Sequence, residues 1–348
     1  MFGGLCANFT RLRPIVVARD VPGAREYDRE QAFRIVRTRL PVRRSAAHLP
    51  QMLARAAAEA ARSRPAVVLA SHVLTMPLAM ALRKPWVGFL HGSELGAGWS
   101  ARLAPRFLPR ADALVANSHA TADLAKRIAG PRKAMMVTPL GVDPKHFHPA
   151  ATDLPAEWQL DEAKVLLTVA RLDQLRKGHD VVLEALPSVA RRVPNVRYVI
   201  AGEGPLRPEL ERRAATLGVA ERCVFAGRVP ERQLAALYER ADVFVMPSRA
   251  EAGSYEGFGI VYVEAAAHGT PSVAGNQGGA VDAVLDGQTG LLVNPRQPSE
   301  VAEAASRLLT DDLLRKQLGE QARRRAKNEL TWPKIAQRVE DFVIAAIA

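Results

Sequence analysis

KVLLTVARLDQLRKGHD, residues 164–180, decides the fold. Its opening KVLLTVA is a nearly continuous apolar, β-branched run, which reads as a strand buried on both faces. A turn carrying Arg171 and Lys177 follows, and Gly178 opens a helical pattern. Strand, short loop and helix are half of a βαβ unit, and such units build parallel sheets. The rhythm continues downstream, with strands predicted at VRYVIAG (196–202), CVFAG (223–227), VFVMP (243–247), SVAG (272–275) and GLLVN (290–294). It also runs upstream, at PIVVA (14–18), RIVRT (34–38), AVVLA (66–70), WVGFL (86–90), ALVAN (113–117) and MMVTP (135–139), with helices over Leu49–Arg64 and Ala120–Ala129. The pattern predicts an α/β chain of two doubly wound domains, residues 1–147 and 148–330, joined through the Pro-, His- and Asp-rich stretch 141–155. A terminal helix, within 331–348, is expected to pack back towards the first domain.

The 348 residues, 48% hydrophobic and 24% charged, have the length and composition of a soluble two-domain protein. No apolar run reaches the ~20 residues needed to cross a bilayer. The start, MFGGLCANFTRLRP, has no apolar signal-peptide core, so a cytoplasmic location is expected. Cys6 and Cys223 stand far apart without metal-ligand spacing, which indicates neither a disulfide framework nor a zinc site. The net charge of +12 is uneven: residues 1–150 hold 23 Lys and Arg against 9 Asp and Glu, and the remainder hold 25 against 27. A basic first half suits a nucleic acid, an anionic membrane or a phosphorylated substrate, and a solvated arginine-rich surface fits equally well. Nucleic acid is not expected, because aromatics for stacking are few and no recognition motif is present. Nothing in the sequence bears on oligomeric state.

Ligands of doubly wound sheets bind beyond the carboxyl ends of the strands, so motifs are sought just after strands. Arg171 and Lys177, beside a helix start, make an anion site; alone, two solvated cations would read the same. VIAGEGPLRPEL (199–210) turns at Gly202 like a phosphate-binding loop, a weak signal by itself. FAGRVPERQL (225–234) places Val229 where a nucleobase can lie against backbone, or where an ordinary strand–helix turn would sit. YEGFGIVYVEAAAHGTP (255–271) carries Glu256 and Glu264. Glu256 suits any helix start. Glu264, among Ile260, Val261, Val263, Ala265 and Ala266, needs a partner. Gly257 and Gly259 would let the amides of Phe258, Gly259 and Ile260 approach a sugar or phosphate. In the first half, His91 follows a strand in FLHGSELGAGWS (89–100), and Gly3-Gly4 stands at the start. A structural histidine and a disordered end are the plain alternatives.

Taken in order, Arg-x5-Lys-Gly, Gly-Glu-Gly, Gly-x-Val and Glu-x7-Glu resemble the donor domain of retaining GT-B glycosyltransferases. The likeness covers nearly the whole chain and is most specific over residues 165–295. HGSELGAGWS and EGFGIVYVEAAAHGTP look most like the bacterial enzymes that mannosylate phosphatidylinositol mannosides. The resemblance implies two Rossmann-like domains facing a cleft and a nucleotide-sugar donor, GDP-mannose ahead of UDP-hexoses, with no cofactor required. It also implies metal-independent chemistry, in keeping with the lack of an Asp-x-Asp tract. By the same likeness, Arg171 and Lys177 would contact the donor diphosphate, Gly3 and Gly4 would form a loop beside it, and Glu264 would accept ribose hydroxyls. Glu256 and the amides after it would face the transferred sugar, with His91 near its 6-position; Gly202 and Val229 would border the nucleotide. The acceptor hydroxyl would belong to a lipid, glycan or small molecule.

Two departures stand out. The family begins with a strand and a proline turn that MFGG does not show, so the first domain would lack its usual first strand. The family's Gly-Gly-x-x-Glu ends here in the shorter carboxylate of Asp282. Alternatives are a nucleotide-sugar epimerase of the same fold, or an N-terminally truncated, inactive donor-binding protein. WSARLAPRFLPR (99–110) places Trp99, Leu103, Phe107 and Leu108 beside Arg102, Arg106 and Arg110, which suits an interfacial segment and peripheral attachment to the inner face of a membrane.

Overall fold

The computed structural model describes residues 2–38, 48–96, 98–148, 153–251 and 253–348. It divides into two compact units, Met1–Thr138 with Trp332–Ala348, and Pro139–Thr331.

The first unit contains β1 (Ile15–Arg19), β2 (Arg34–Thr38), β3 (Val68–Ala70), β4 (Trp86–Leu90), β5 (Ala113–Ala116) and β6 (Met135–Val137). They form two parallel sheets, β1 beside β2 and a row β3-β4-β5-β6. Among the described residues no strand precedes Ile15, and helix Phe2–Asn8 stands before it. Side chains alternate across the four-stranded sheet, as a period of two requires. Trp86, Leu90 and Leu114 pack with Met76, Ala104 and Leu108 on one face. Val87, Phe89, Ala113 and Val115 pack with Leu5 and with Ile335, Val339 and Val343 of helix Trp332–Ile347 on the other. With a fully buried ring of this kind, Phe89→Ala would cost about 3–5 kcal/mol.

The same terminal helix carries Glu340, 1% exposed. Its carboxylate accepts the backbone N–H of Leu12 at 2.7 Å, of Arg11 at 2.8 Å and of Thr10 at 3.1 Å, and the Thr10 hydroxyl at 2.9 Å. Burial by itself would raise this carboxyl's pKa, but the bonds from Leu12, Thr10 and Arg11 win and hold it below the ordinary range.

Helix Gly98–Phe107 turns most of the apolar side of 99–110 into the core, so fewer of the expected residues are at the surface. Ala104, Phe107 and Leu108 are core residues, and Leu103 packs against them. Of the apolar residues expected at the surface, Trp99 is the one exposed, at 75%. Among the described residues, no helix is long and apolar enough to cross a membrane.

The second unit contains β7 (Lys164–Val169), β8 (Val196–Ala201), β9 (Cys223–Gly227), β10 (Val243–Met246), β11 (Ser272–Gly275) and β12 (Gly290–Val293). They make one sheet in the order β12-β11-β10-β7-β8-β9, with every pair parallel. Leu166, Tyr198, Ile200, Val243, Val245 and Val273 face one core. Their alternating neighbours Val165, Leu167, Val199, Phe244, Met246 and Ala274 face the other. Such two-faced burial is why these strands read as continuous apolar runs. Strand order reverses between β7 and β10, and a sheet of this kind opens its ligand crevice at the carboxyl ends beside that reversal.

The predicted linker 141–155 is partly anchored in this unit. Val142 bridges Thr331, its N–H bonded to the Leu330 carbonyl at 2.7 Å, and Pro144–Phe147 form a 3₁₀ turn. Residues 149–152 of that stretch lie outside the described residues.

Candidate active site

Beyond β7 the chain makes a 3₁₀ turn, Leu175–Lys177, and Gly178 at φ +85° starts helix His179–Arg192. A Cβ on Gly178 would lie 2.5 Å from the Pro247 carbonyl oxygen, just past β10, so only glycine fits both the conformation and the space. Two further contacts join the loops after β7 and β10. The Arg249 N–H donates to the Arg176 carbonyl at 2.9 Å. Its guanidinium grips both oxygens of buried Asp180 at 2.9 Å each, the bidentate geometry that fixes orientation best.

Helix Ile260–Ala267 begins at Gly259, φ +84°, without a side-chain cap. Its first N–H groups therefore have no partner inside the helix, and its dipole favours negative charge there. Tyr262 secures this helix to the end of β10, donating to the Met246 carbonyl at 2.5 Å. The loop GNQGG supports it from the other side: the Gly279 N–H donates to the Glu256 carbonyl at 2.7 Å, and a Cβ on Gly279 would fall 2.0 Å from the Gly257 oxygen.

These supports bring two sequence-predicted residues together. Lys177 Nζ lies 2.5 Å from Glu256 Oε2, both side chains mostly buried. Arg176 Nη1 stands 3.8 Å from the same oxygen, also buried. Arg171 differs: it is 77% exposed and pairs with Asp173 at 3.0 Å. Glu264 accepts the Tyr238 hydroxyl at 2.8 Å. Burial raises the Glu264 pKa, while the Tyr238 bond and then the nearby His146 draw it part of the way back. Beside Lys177, burial lowers the His179 pKa to about 4, so the ring is neutral at pH 7.

The other predicted residues have local settings. Gly202 follows β8 at φ +153°, where a Cβ would meet the Ala170 carbonyl oxygen at 1.9 Å; the turn presses against the end of β7. Val229 is half-buried and packs on the core shared by Phe258 and Tyr262. Phe258 itself is buried. His91, in the first unit, ends β4: its N–H donates to Glu94 Oε1 at 2.5 Å and its Nε2 faces the Ser71 carbonyl at 2.9 Å. Gly3 and Gly4 require a correction. They are helical, within Phe2–Asn8, not a loop. A Cβ at Gly4 would lie 2.4 Å from the Trp332 ring, so packing within the unit needs a small residue there; one at Gly3 would meet only the end of the exposed Tyr27 side chain, at 2.1 Å.

Residues 152–325 match the family described as glycosyl transferases group 1, and residues 5–146 match glycosyltransferase family 4. A GDP-mannose-dependent alpha-(1-6)-phosphatidylinositol monomannoside mannosyltransferase of Mycolicibacterium smegmatis is 36% identical over 328 residues, 89% of this chain and 84% of the relative. The enzyme of that description from Mycobacterium tuberculosis is 35% identical over 263 residues, 73% of this chain and 68% of the relative.

The chain belongs to the group 1 glycosyl transferases.

Its folded form is similar to sucrose-phosphate synthase of Thermosynechococcus elongatus, with a TM-score of 0.75 at 25% identity over 90% of this chain and 83% of that one. It also shares its fold with Anabaena HepE in complex with UDP, with a TM-score of 0.82 at 21% identity over 98% and 94%. Two Rossmann-like parallel-sheet domains, as the sequence predicts, are the fold of this glycosyl transferase. Sequence reasoning missed Arg176, Asp180, Arg249 and Tyr238. Arg176 had a signal, adjacency to Lys177; the others sit on amphipathic helices or in a loop whose local pattern explains them without a ligand.

Proposed function

We propose that this glycosyl transferase is a retaining, metal-independent hexosyltransferase that moves mannose from GDP-mannose to a hydroxyl of a lipid-linked acceptor. The Lys177–Glu256 pair at the junction of β7 and β10 carries the reading, because it joins a leaving-group cation to a sugar-facing carboxylate at the strand-order reversal. The GDP-mannose dependence of the relatives favours that donor over UDP-hexoses, and their phosphatidylinositol mannoside acceptors favour a lipid.

In the proposed reaction the bond between the anomeric carbon and the diphosphate oxygen breaks, and its electron pair stays on the diphosphate. Lys177 stabilises that developing charge as a fixed, largely buried cation, worth ~3 kcal/mol for one such contact in a dry site, and the solvated Arg171 adds less. The amides of Phe258, Gly259 and Ile260 point their positive helix end at the donor. Glu264 accepts the ribose hydroxyls, with Gly202 and Val229 bordering the nucleotide, and Glu256 faces the sugar as positive charge grows on it. The acceptor hydroxyl attacks from the face the diphosphate leaves and gives its proton to the departing phosphate oxygen, which retains the anomeric configuration. His91 is assigned to the transferred sugar by the family likeness alone. Attachment to an anionic surface would rest on Trp99, Arg102, Arg106 and Arg110.

The test is transfer from GDP-mannose and from UDP-hexoses to a phosphatidylinositol mannoside acceptor, with the product's anomeric configuration assigned by NMR. An α-mannoside formed from GDP-mannose is expected. Transfer from UDP-hexoses alone, or a β-linked product, would overturn the reading.

A further inference from the structure

Tyr238 lies on helix Glu231–Arg240, fully buried, and presents a hydroxyl to a core that a phenylalanine would fill equally well. A buried hydroxyl is costly unless it is bonded. Its bond goes to Glu264 Oε2 at 2.8 Å, and among the described residues Tyr238 is the hydrogen-bond partner of that carboxylate. The ring has little freedom. It stacks on His268 with centroids 5.8 Å apart and planes at 12°, and tilts against Phe244 at 6.1 Å. The backbone is held too, as the Thr270 hydroxyl donates to the Tyr238 carbonyl at 2.6 Å.

We infer that Tyr238 is a positioning residue of the donor site, turning Glu264 so that one carboxylate oxygen is held by the protein and the other accepts the hydroxyls of the donor ribose. The inference rests on the proposed Glu264–ribose contact. A phenol hydroxyl has one proton to give, and giving it to Oε2 leaves the lone pairs of Oε1 for hydroxyl donors. The bond also favours the ionised carboxylate, which accepts from sugar hydroxyls more strongly than a neutral acid does. The charged and titratable groups acting on Glu264 are Tyr238, His146 and Glu231. Behind Tyr238 stands His268, with Glu239 at 3.3 Å and Arg323 nearby.

The experiment is calorimetric titration of GDP and of 2′,3′-dideoxy-GDP into wild type, Tyr238→Phe, Glu264→Gln and the double variant, across the acid range. Tyr238→Phe should weaken GDP on the order of tenfold, as expected for a lost bond to a charged group, and should leave dideoxy-GDP unchanged. Removing the hydroxyl removes an interaction that lowers the Glu264 pKa, so the acid loss of GDP binding should move to higher pH. In the Glu264→Gln background the second substitution should add little. Equal weakening of GDP and dideoxy-GDP with an unmoved pH profile would make Tyr238 merely structural and overturn the inference. Wild-type GDP binding by Tyr238→Phe, with Glu264→Gln impaired, would overturn it while leaving the ribose contact standing. Wild-type binding by Glu264→Gln would remove the ribose contact and the inference together.

Discussion

Lys177 and Glu256, 79 residues apart in the chain, meet at 2.5 Å through a shared ion pair between the loops that follow β7 and β10. With Arg176 3.8 Å from the same oxygen, two cations share one carboxylate, which leaves the cluster with a net positive charge. In the proposed reaction a diphosphate would compete with Glu256 for the ammonium, and a sugar acquiring positive charge would compete with Lys177 for the carboxylate.

Lys177→Ala is therefore expected to lower turnover at least ~100-fold, since it removes charge aimed at the leaving phosphate. Arg171→Ala should cost nearer ~10-fold, because this side chain is largely solvated and screened. Initial rates of mannose transfer at saturating donor measure both. Turnover unchanged in Lys177→Ala would place the diphosphate elsewhere.

The two glutamates should separate. Glu256→Gln frees Lys177, so GDP should bind as tightly as in wild type or more so, while turnover falls by ~10²-fold or more. Glu264→Gln should act the other way, raising the donor dissociation constant with a smaller change in turnover. A common loss of affinity in both variants contradicts this division.

The Glu340 clamp gives a prediction about stability. Its folded-state pKa is depressed below the unfolded value. The sign is that of a favoured carboxylate: the contribution is complete above the unfolded pKa and disappears as pH falls through the folded one. Glu340→Gln should destabilise the first unit by about 2 kcal/mol near neutrality, as expected where bonds to a charged acceptor are weakened. The gap to wild type should close in acid. Urea unfolding of the full chain at pH 7 and at a pH below the folded-state pKa checks both halves, and a gap that widens in acid refutes the assignment.

With Trp99 exposed, Ala104 and Phe107 buried and Leu103 half-buried, attachment of helix Gly98–Phe107 to a membrane would be chiefly electrostatic. Arg102, Arg106 and Arg110 would contribute about 1 kcal/mol each near an anionic surface. Co-sedimentation with anionic vesicles should be clear at low salt and absent at about 1 M, where the Debye length is near 3 Å. Trp99→Ala should weaken it modestly. Equal binding to neutral vesicles would reject this surface.

The strands were legible because each is a short, mostly apolar run, usually with at least one β-branched residue. RIVRT, WVGFL, CVFAG and SVAG occupy the residues predicted, and the others differ at their ends by one or two. Pairing was less so. That β1 and β2 stand in a sheet separate from β3 depends on residues distant in the chain. The same holds for Gly3 and Gly4, whose surroundings, Tyr27 and Trp332, come from later elements. In WSARLAPRFLPR the amphipathic period was real, but periodicity does not say which medium covers the apolar side. At the site, Glu264 stood out as a charge in apolar company, whereas Lys177 and Glu256 were legible through the order and spacing of the family motifs that carry them. Tyr238 was not, since a tyrosine on an amphipathic helix already has a packing reason to be there.

The terminal helix has a consequence for biosynthesis. Because Trp332–Ala348 completes the first unit, the residues translated first must wait for those translated after the whole of Pro139–Thr331. The core around Val87, Phe89 and Val115 stays uncovered on one side through that interval, while the second unit has all of its chain and can close. The first unit therefore closes last, once Trp332–Ile347 is free to cover that face.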